Sequence, residues 1–167
     1  MAAFPLHTIE WQAQQQTAWR RFTLSLPWFG FASGVVLHAY RWAALSALVP
    51  RQLGVILAEV AIGVALMCAL TAGHLANFTL RSWKWRAPAL GAFIALGECV
   101  TALFLTLLHM ERLGRAEATL ADWPASVLTI LITRVVIVSL FALILSVVVA
   151  ALRKTVERSE ERVAGSE

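Results

Sequence analysis

Apolar residues in this chain run in four long blocks, at 22–49, 53–80, 87–110 and 123–152, each broken only by scattered polar positions. Every block exceeds the ~20 residues that an α-helix needs to cross ~30 Å of hydrocarbon. Membrane β-strands would instead alternate apolar and polar residues over about ten positions, and the blocks do not alternate. Lipid offers no partner for free backbone groups, so the helix is the spanning conformation left. The blocks are separated by Pro50-Arg51-Gln52, by Arg81-Ser82-Trp83-Lys84-Trp85-Arg86 and by the longer segment 111–122. Short connections make successive helices antiparallel neighbours. The pattern predicts an all-α integral membrane protein, a four-helix up-down-up-down bundle.

Two polar flanks complete the chain. Residues 1–21 are glutamine-rich and lack a small-residue cleavage site after a short apolar run, so no removable signal peptide is expected. Thr8 is placed to cap a short interfacial helix there, with Ile9 and Trp19 dipping into lipid. Residues 153–167 form a charged tail that extends the last helix into water, with Arg153 and Glu157 four apart. The last four residues, Ala164-Gly165-Ser166-Glu167, are expected to fray.

Composition strengthens the membrane reading. The 167 residues are 59% hydrophobic and 14% charged, with a mean hydropathy of +0.72. A soluble domain carries about 45–50% apolar and about 25% charged residues, and so short a chain has too little interior to hide the excess. The net charge of +4 does not imply nucleic acid, because the basic residues flank apolar blocks rather than forming a stripe on a soluble surface. Their distribution instead sets orientation. Arg20, Arg21, Arg81, Lys84, Arg86, Arg153, Lys154, Arg158 and Arg162 fall on one side, against Arg41, Arg51, Arg112 and Arg115 on the other. The richer side is cytoplasmic by the positive-inside rule, which places both termini in the cytoplasm. Trp28, Trp83 and Trp85 mark the inner interface, and Trp42 and Trp123 the outer one.

The candidate chemistry lies in the polar groups within the blocks: Glu59, Glu98, Arg134, His38, His74 and Asn77. A charge at mid-membrane costs at least ~2.5–3.5 kcal/mol, so such groups face the interior and pair. At 1.5 Å per residue, Glu59 and Arg134 lie about 30 and 27 Å from the cytoplasmic ends of their blocks, whereas Glu98 lies only about 16 Å up the third. An ion pair between Glu59 and Arg134 is therefore expected. It can serve either helix register or a transport path. Glu98 is left without a cation, a state that favours proton uptake, with His74 as a nearby exchange partner. On the second block Glu59 and Asn77 share one angle, with Gly63, Gly73 and His74 close to it; on the third, Ala87, Gly91, Ala95, Glu98, Ala102 and His109 form a small-residue stripe. Gly30 and Gly34 give a GxxxG match that fits packing within the bundle as well as dimerisation.

Other chemistries find little footing. Cys68 and Cys99 lie inside apolar blocks with neither zinc spacing nor a CxxC pair, and read as small hydrophobes. His38 and His74 sit about 23 and 9 Å above the inner ends of their blocks, too far apart in depth to hold one b-type haem. His109 is near the outer interface, and His7 lies outside the membrane. No nucleophile elbow, HExxH helix, P-loop or dinucleotide fingerprint occurs. No catalytic, metal or cofactor residues are therefore assigned. The sequence reads as a non-enzymatic, multi-pass inner-membrane protein. Its expected partners are the lipid bilayer and other membrane subunits, or further copies of itself. The alternative is a proton- or ion-coupled transporter or channel working as an oligomer; a haem-bearing anchor is a more distant third.

Overall fold

The computed structural model describes residues 18, 20–46, 53–113 and 116–164. Thr8, Ile9, Trp19, the Pro50-Arg51-Gln52 connection and residues 165–167 lie outside them. The described chain is helical, in four long elements: α1 (Leu26–Ser46), α2 (Leu53–Leu75), α3 (Leu80–Leu107) and α4 (Trp123–Ala164). One helical turn at 20–24 precedes α1. Between α3 and α4 lie a two-rung antiparallel hairpin, β1 (Arg112–Leu113) with β2 (Ala116–Glu117), and a 3-10 turn at Leu120–Asp122. Three stretches, Leu53–Leu75, Leu80–Leu107 and Leu120–Thr155, are long and apolar enough to cross a membrane. They fit a membrane protein.

Helix ends differ from the apolar pattern at one connection. Arg81–Arg86, expected as a loop, forms the first turns of α3, and α2 stops at Leu75 rather than at Leu80. The real turn is 76–79. It is closed by side chains that bind its carbonyls: Trp83 Nε1 donates to Phe78 O at 3.1 Å and Ser82 Oγ to Thr79 O at 2.7 Å. Charge had masked a segment that is helical in backbone. Asn77 therefore lies beyond the end of α2, where its Nδ2 donates to Gly73 O (2.8 Å) and His74 O (3.3 Å) as a C-terminal cap. It does not share a helical face with Glu59. Trp83 is buried rather than lipid-facing, whereas Trp28 and Trp85 are 71% and 74% exposed.

The third helix is the hub. It packs along α1 on one side and α4 on the other, while α2 makes far fewer contacts with any of them. The approach of α1 to α3 is backbone to backbone. A Cβ on Gly34 would stand 2.0 Å from Ile94 O, and one on Gly97 would stand 2.2 Å from Phe31 O. On the opposite side, a Cβ on Gly91 would meet Val135 Cα of α4 at 2.8 Å. The GxxxG pair of α1 is thus used inside the chain, as small residues at membrane-helix interfaces allow. A core of Phe29, Leu37, Met67, Leu75, Leu90, Ile94, Val138 and Ala142 fills the space between the four helices.

Candidate functional site

Two guanidiniums, two carboxylates and one imidazole meet where α1, α3 and α4 converge. The first contributors sit on α1, where His38 and Arg41 are three residues apart and share a face. Gly34, one turn earlier, lets that face close against α3. Glu98 follows Gly97, whose missing side chain admits the backbone of α1.

The fourth member arrives through the end of α3. His109 adopts φ 57°, the left-handed conformation. Its N–H bonds to Thr106 O at 3.0 Å, and the Met110 N–H reaches Leu105 O at 2.9 Å. This pairing is a Schellman motif, with histidine where glycine is commonest. It folds the chain back over α1, where Trp42 Nε1 donates to Met110 O at 3.0 Å. Glu111 is thereby set over His38, and its own carbonyl takes the Ala118 N–H at 3.0 Å.

Arg134 of α4 donates through Nε and Nη2 to the two carboxylate oxygens of Glu98, the second bond at 3.1 Å. Its third nitrogen, Nη1, reaches Met67 Sδ of α2 at 3.9 Å. Arg41 stands 3.8 Å from Glu98 and 3.9 Å from Glu111, and also donates to His38 Nδ1 at 3.0 Å. His38 Nε2 bonds Glu111 at 3.0 Å. His38 and Glu98 are fully buried, whereas the Arg41 side chain is 38% exposed. The formal charges of two arginines and two glutamates cancel. That balance matters, because an unbalanced charge in a low-dielectric interior carries a desolvation penalty of several kcal/mol.

The arrangement corrects the expected pairing. Arg134 forks onto Glu98 and not Glu59. Depth along α3 must be counted from Leu80, not from Ala87. Counted so, Glu98 lies about 27 Å up its helix, the same distance that separates Arg134 from the end of its apolar block at Leu152. Nor is Glu98 left without a cation, since two guanidiniums serve it. Glu59 stands beside α1, its backbone carbonyl taking the Tyr40 hydroxyl at 2.8 Å. Gly63, one turn on, gives the Tyr40 ring room, its would-be Cβ 3.2 Å from the ring edge.

His74 belongs to another locus. Its Nδ1–H donates to Thr23 O at 2.7 Å, and its ring lies against Phe29 and Phe78, with centroids 5.6 and 5.0 Å away. Thr23, in the turn before α1, and His38 are fifteen residues apart, about 22 Å at the helical rise. His74 is therefore no exchange partner for Glu98. The two histidines cannot face one haem, and both ring nitrogens of His38 are already engaged. His74 Nε2 and Thr71 Oγ1 are buried without a hydrogen-bond partner among the described residues.

Two members of the cluster, Arg41 and Glu111, were not foreseen from sequence. Glu111 sits just past the end of the third apolar block, and Arg41 lies in the outer part of the first, a position read from sequence as belonging to the headgroup region. The available signal was the spacing of His38 and Arg41 on one helical face. Nothing local forecasts that a turn at His109 returns Glu111 to them. The chain matches no protein-family model, no curated protein and no solved structure.

Proposed function

We propose that this chain is a non-enzymatic, multi-pass protein of the cell inner membrane that works as a small subunit or assembly partner of a larger membrane complex. In this reading its four helices form an up-down-up-down bundle that spans the bilayer, with both termini in the cytoplasm. The observation that carries it is the state of α2. Only 6% of its most apolar stretch is buried, against 50% for α3 and 11% for the stretch that contains α4, so what sets α2 apart is the make-up of its outward side. Along the middle of that side run Gly54, Ala58, Ala61 and Ala65, continued by the half-buried Cys68 and Ala72, spaced alternately four and three residues apart and flanked by exposed Leu57, Ile62 and Val64. Lipid-facing surfaces have no need of small residues, and the outward face of α4 is built instead from Leu128, Ile132, Val136, Leu140, Leu143 and Val147. A seam of small residues suits close approach of another helix, and its 3.5-residue repeat suits a left-handed crossing.

Native mass spectrometry of the protein extracted in mild detergent from its own host tests this. A stoichiometric complex with other chains that is lost in Ala61→Leu and Ala65→Leu variants supports the subunit reading. A monomer, or a homo-oligomer alone, overturns it. The charge cluster favours a second reading, a proton- or ion-coupled transporter or channel, because buried ionisable groups that connect to an exposed one are the material of such paths. Proton flux into liposomes that is abolished by Glu98→Gln supports that reading, and equal flux in the two proteins counts against it.

A further inference from the structure

His38 is fully buried, yet both its ring nitrogens are bonded, and its partners fix its protonation pattern. A guanidinium nitrogen has protons and no lone pair to offer, so Arg41 Nη2, at 3.0 Å, can only donate to Nδ1. Nδ1 is therefore the bare nitrogen. The ring hydrogen sits on Nε2 and points to Glu111 Oε2 at 3.0 Å. A second proton entering the ring must take the lone pair that holds Arg41. We infer that His38 Nδ1 is a proton-binding site at which the proton and the Arg41 guanidinium exclude one another.

Charge balance couples the two events. With a neutral ring the cluster sums to zero; with an imidazolium it carries one excess positive charge, which a low-dielectric interior resists. Arg134 cannot relieve it, being forked onto Glu98 and seated on Met67. Arg41 can. It reaches Glu98 and Glu111 only at 3.8 and 3.9 Å, and its side chain is already 38% exposed. When it swings out, Arg134, Glu98, Glu111 and the imidazolium again sum to zero. One proton bound thus moves one guanidinium out of the bundle. The charged groups around the ring all enter this balance: Arg41 from α1, Glu98 from α3, Glu111 from the turn after it, and Arg134 from α4 through Glu98. The Cys99 thiol of α3, beside Glu98 and Arg41, adds no charge. On α2, the Glu59 backbone carbonyl takes the Tyr40 hydroxyl of α1.

The test is nitrogen NMR of the full-length protein in lipid bilayers, with histidine and arginine labelled, from pH 8 down to pH 5. His38→Gln and Arg41→Gln samples serve only to assign the signals. The expected result is a protonated Nε2 and a bare Nδ1 at the alkaline end. On acidification Nδ1 gains its proton, and the Arg41 side-chain signals change from hindered to fast rotation over the same pH interval. Three outcomes overturn the inference: a protonated Nδ1 already at pH 8, protonation of Nδ1 with the Arg41 signals unchanged, or an Nδ1 that stays bare to pH 5. The readout is confined to the ring and its partner, so it stands apart from whether the chain assembles with others.

Discussion

Glu98 carries more of the packing than its single carboxylate suggests, since it joins α4 through Arg134 and α1 through Arg41. Removing one partner of a buried pair leaves an uncompensated charge and costs roughly 3–5 kcal/mol, whereas replacing both with apolar groups is often close to neutral. Arg134→Leu is therefore expected to destabilise the protein by that order, and Glu98→Leu combined with Arg134→Leu to recover much of the loss. Unfolding in detergent, arranged as a double-mutant cycle, measures the difference; strict additivity would show that the fork contributes no coupling. Arg41→Gln should cost less, because its contacts are longer and its side chain is partly exposed. The sequence announced which residues were costly to bury but not how they pair. Glu98, Arg134 and His38 stood out as polar islands in apolar blocks. Their partners depended on a helix that starts at Leu80 rather than at Ala87, and on a chain reversal that one non-glycine residue in a left-handed conformation performs.

Among the elements, α3 organises the others through backbone approach, and glycine is what permits it. Gly34→Ala puts a methyl group against Ile94 O and Glu98 N, neither of which can give way without moving a helix. A loss of about 1–3 kcal/mol or more is expected, as for other overpacked interfaces. Gly73→Ala, with nothing within 4 Å of the new atom, should instead gain up to about 1 kcal/mol from helix propensity. Thermal unfolding of the two variants side by side checks the contrast, and equal effects would mean that the α1–α3 contact is not close-packed. The second helix is held differently, by the Tyr40 hydroxyl on Glu59 O and the Thr23 carbonyl on His74. Tyr40→Phe removes one of these, at roughly 0.5–1.5 kcal/mol. Faster hydrogen exchange is then expected in the half of α2 near Leu53, with little change near Leu75. Helix existence was readable from apolar run lengths. Helix partnership was not, since short loops suggested that sequence neighbours pack together, while α1 lies chiefly on α3.

At the scale of the whole molecule, the proposed orientation predicts that a green fluorescent reporter fused after residue 167 will fluoresce in the host, and that an alkaline phosphatase fused there will be inactive. The opposite pattern would invert every assignment of inner and outer side. The dominance of α3 also bears on how such a chain is made. During synthesis α1 emerges with His38 and Arg41 before Glu98, Glu111 or Arg134 exist to receive them. In the proposed topology Arg41 must enter the bilayer with α1, where an arginine is resisted by about 2.5–3.5 kcal/mol at the helix centre, and α1 has no stretch to match the apolarity of the other three. Its partner for close packing is still inside the ribosome. A nascent chain ending before Leu80 should therefore hold α1 poorly in the bilayer, and one extended past Glu111 should hold it firmly. The first helix to be translated would then be among the last to settle.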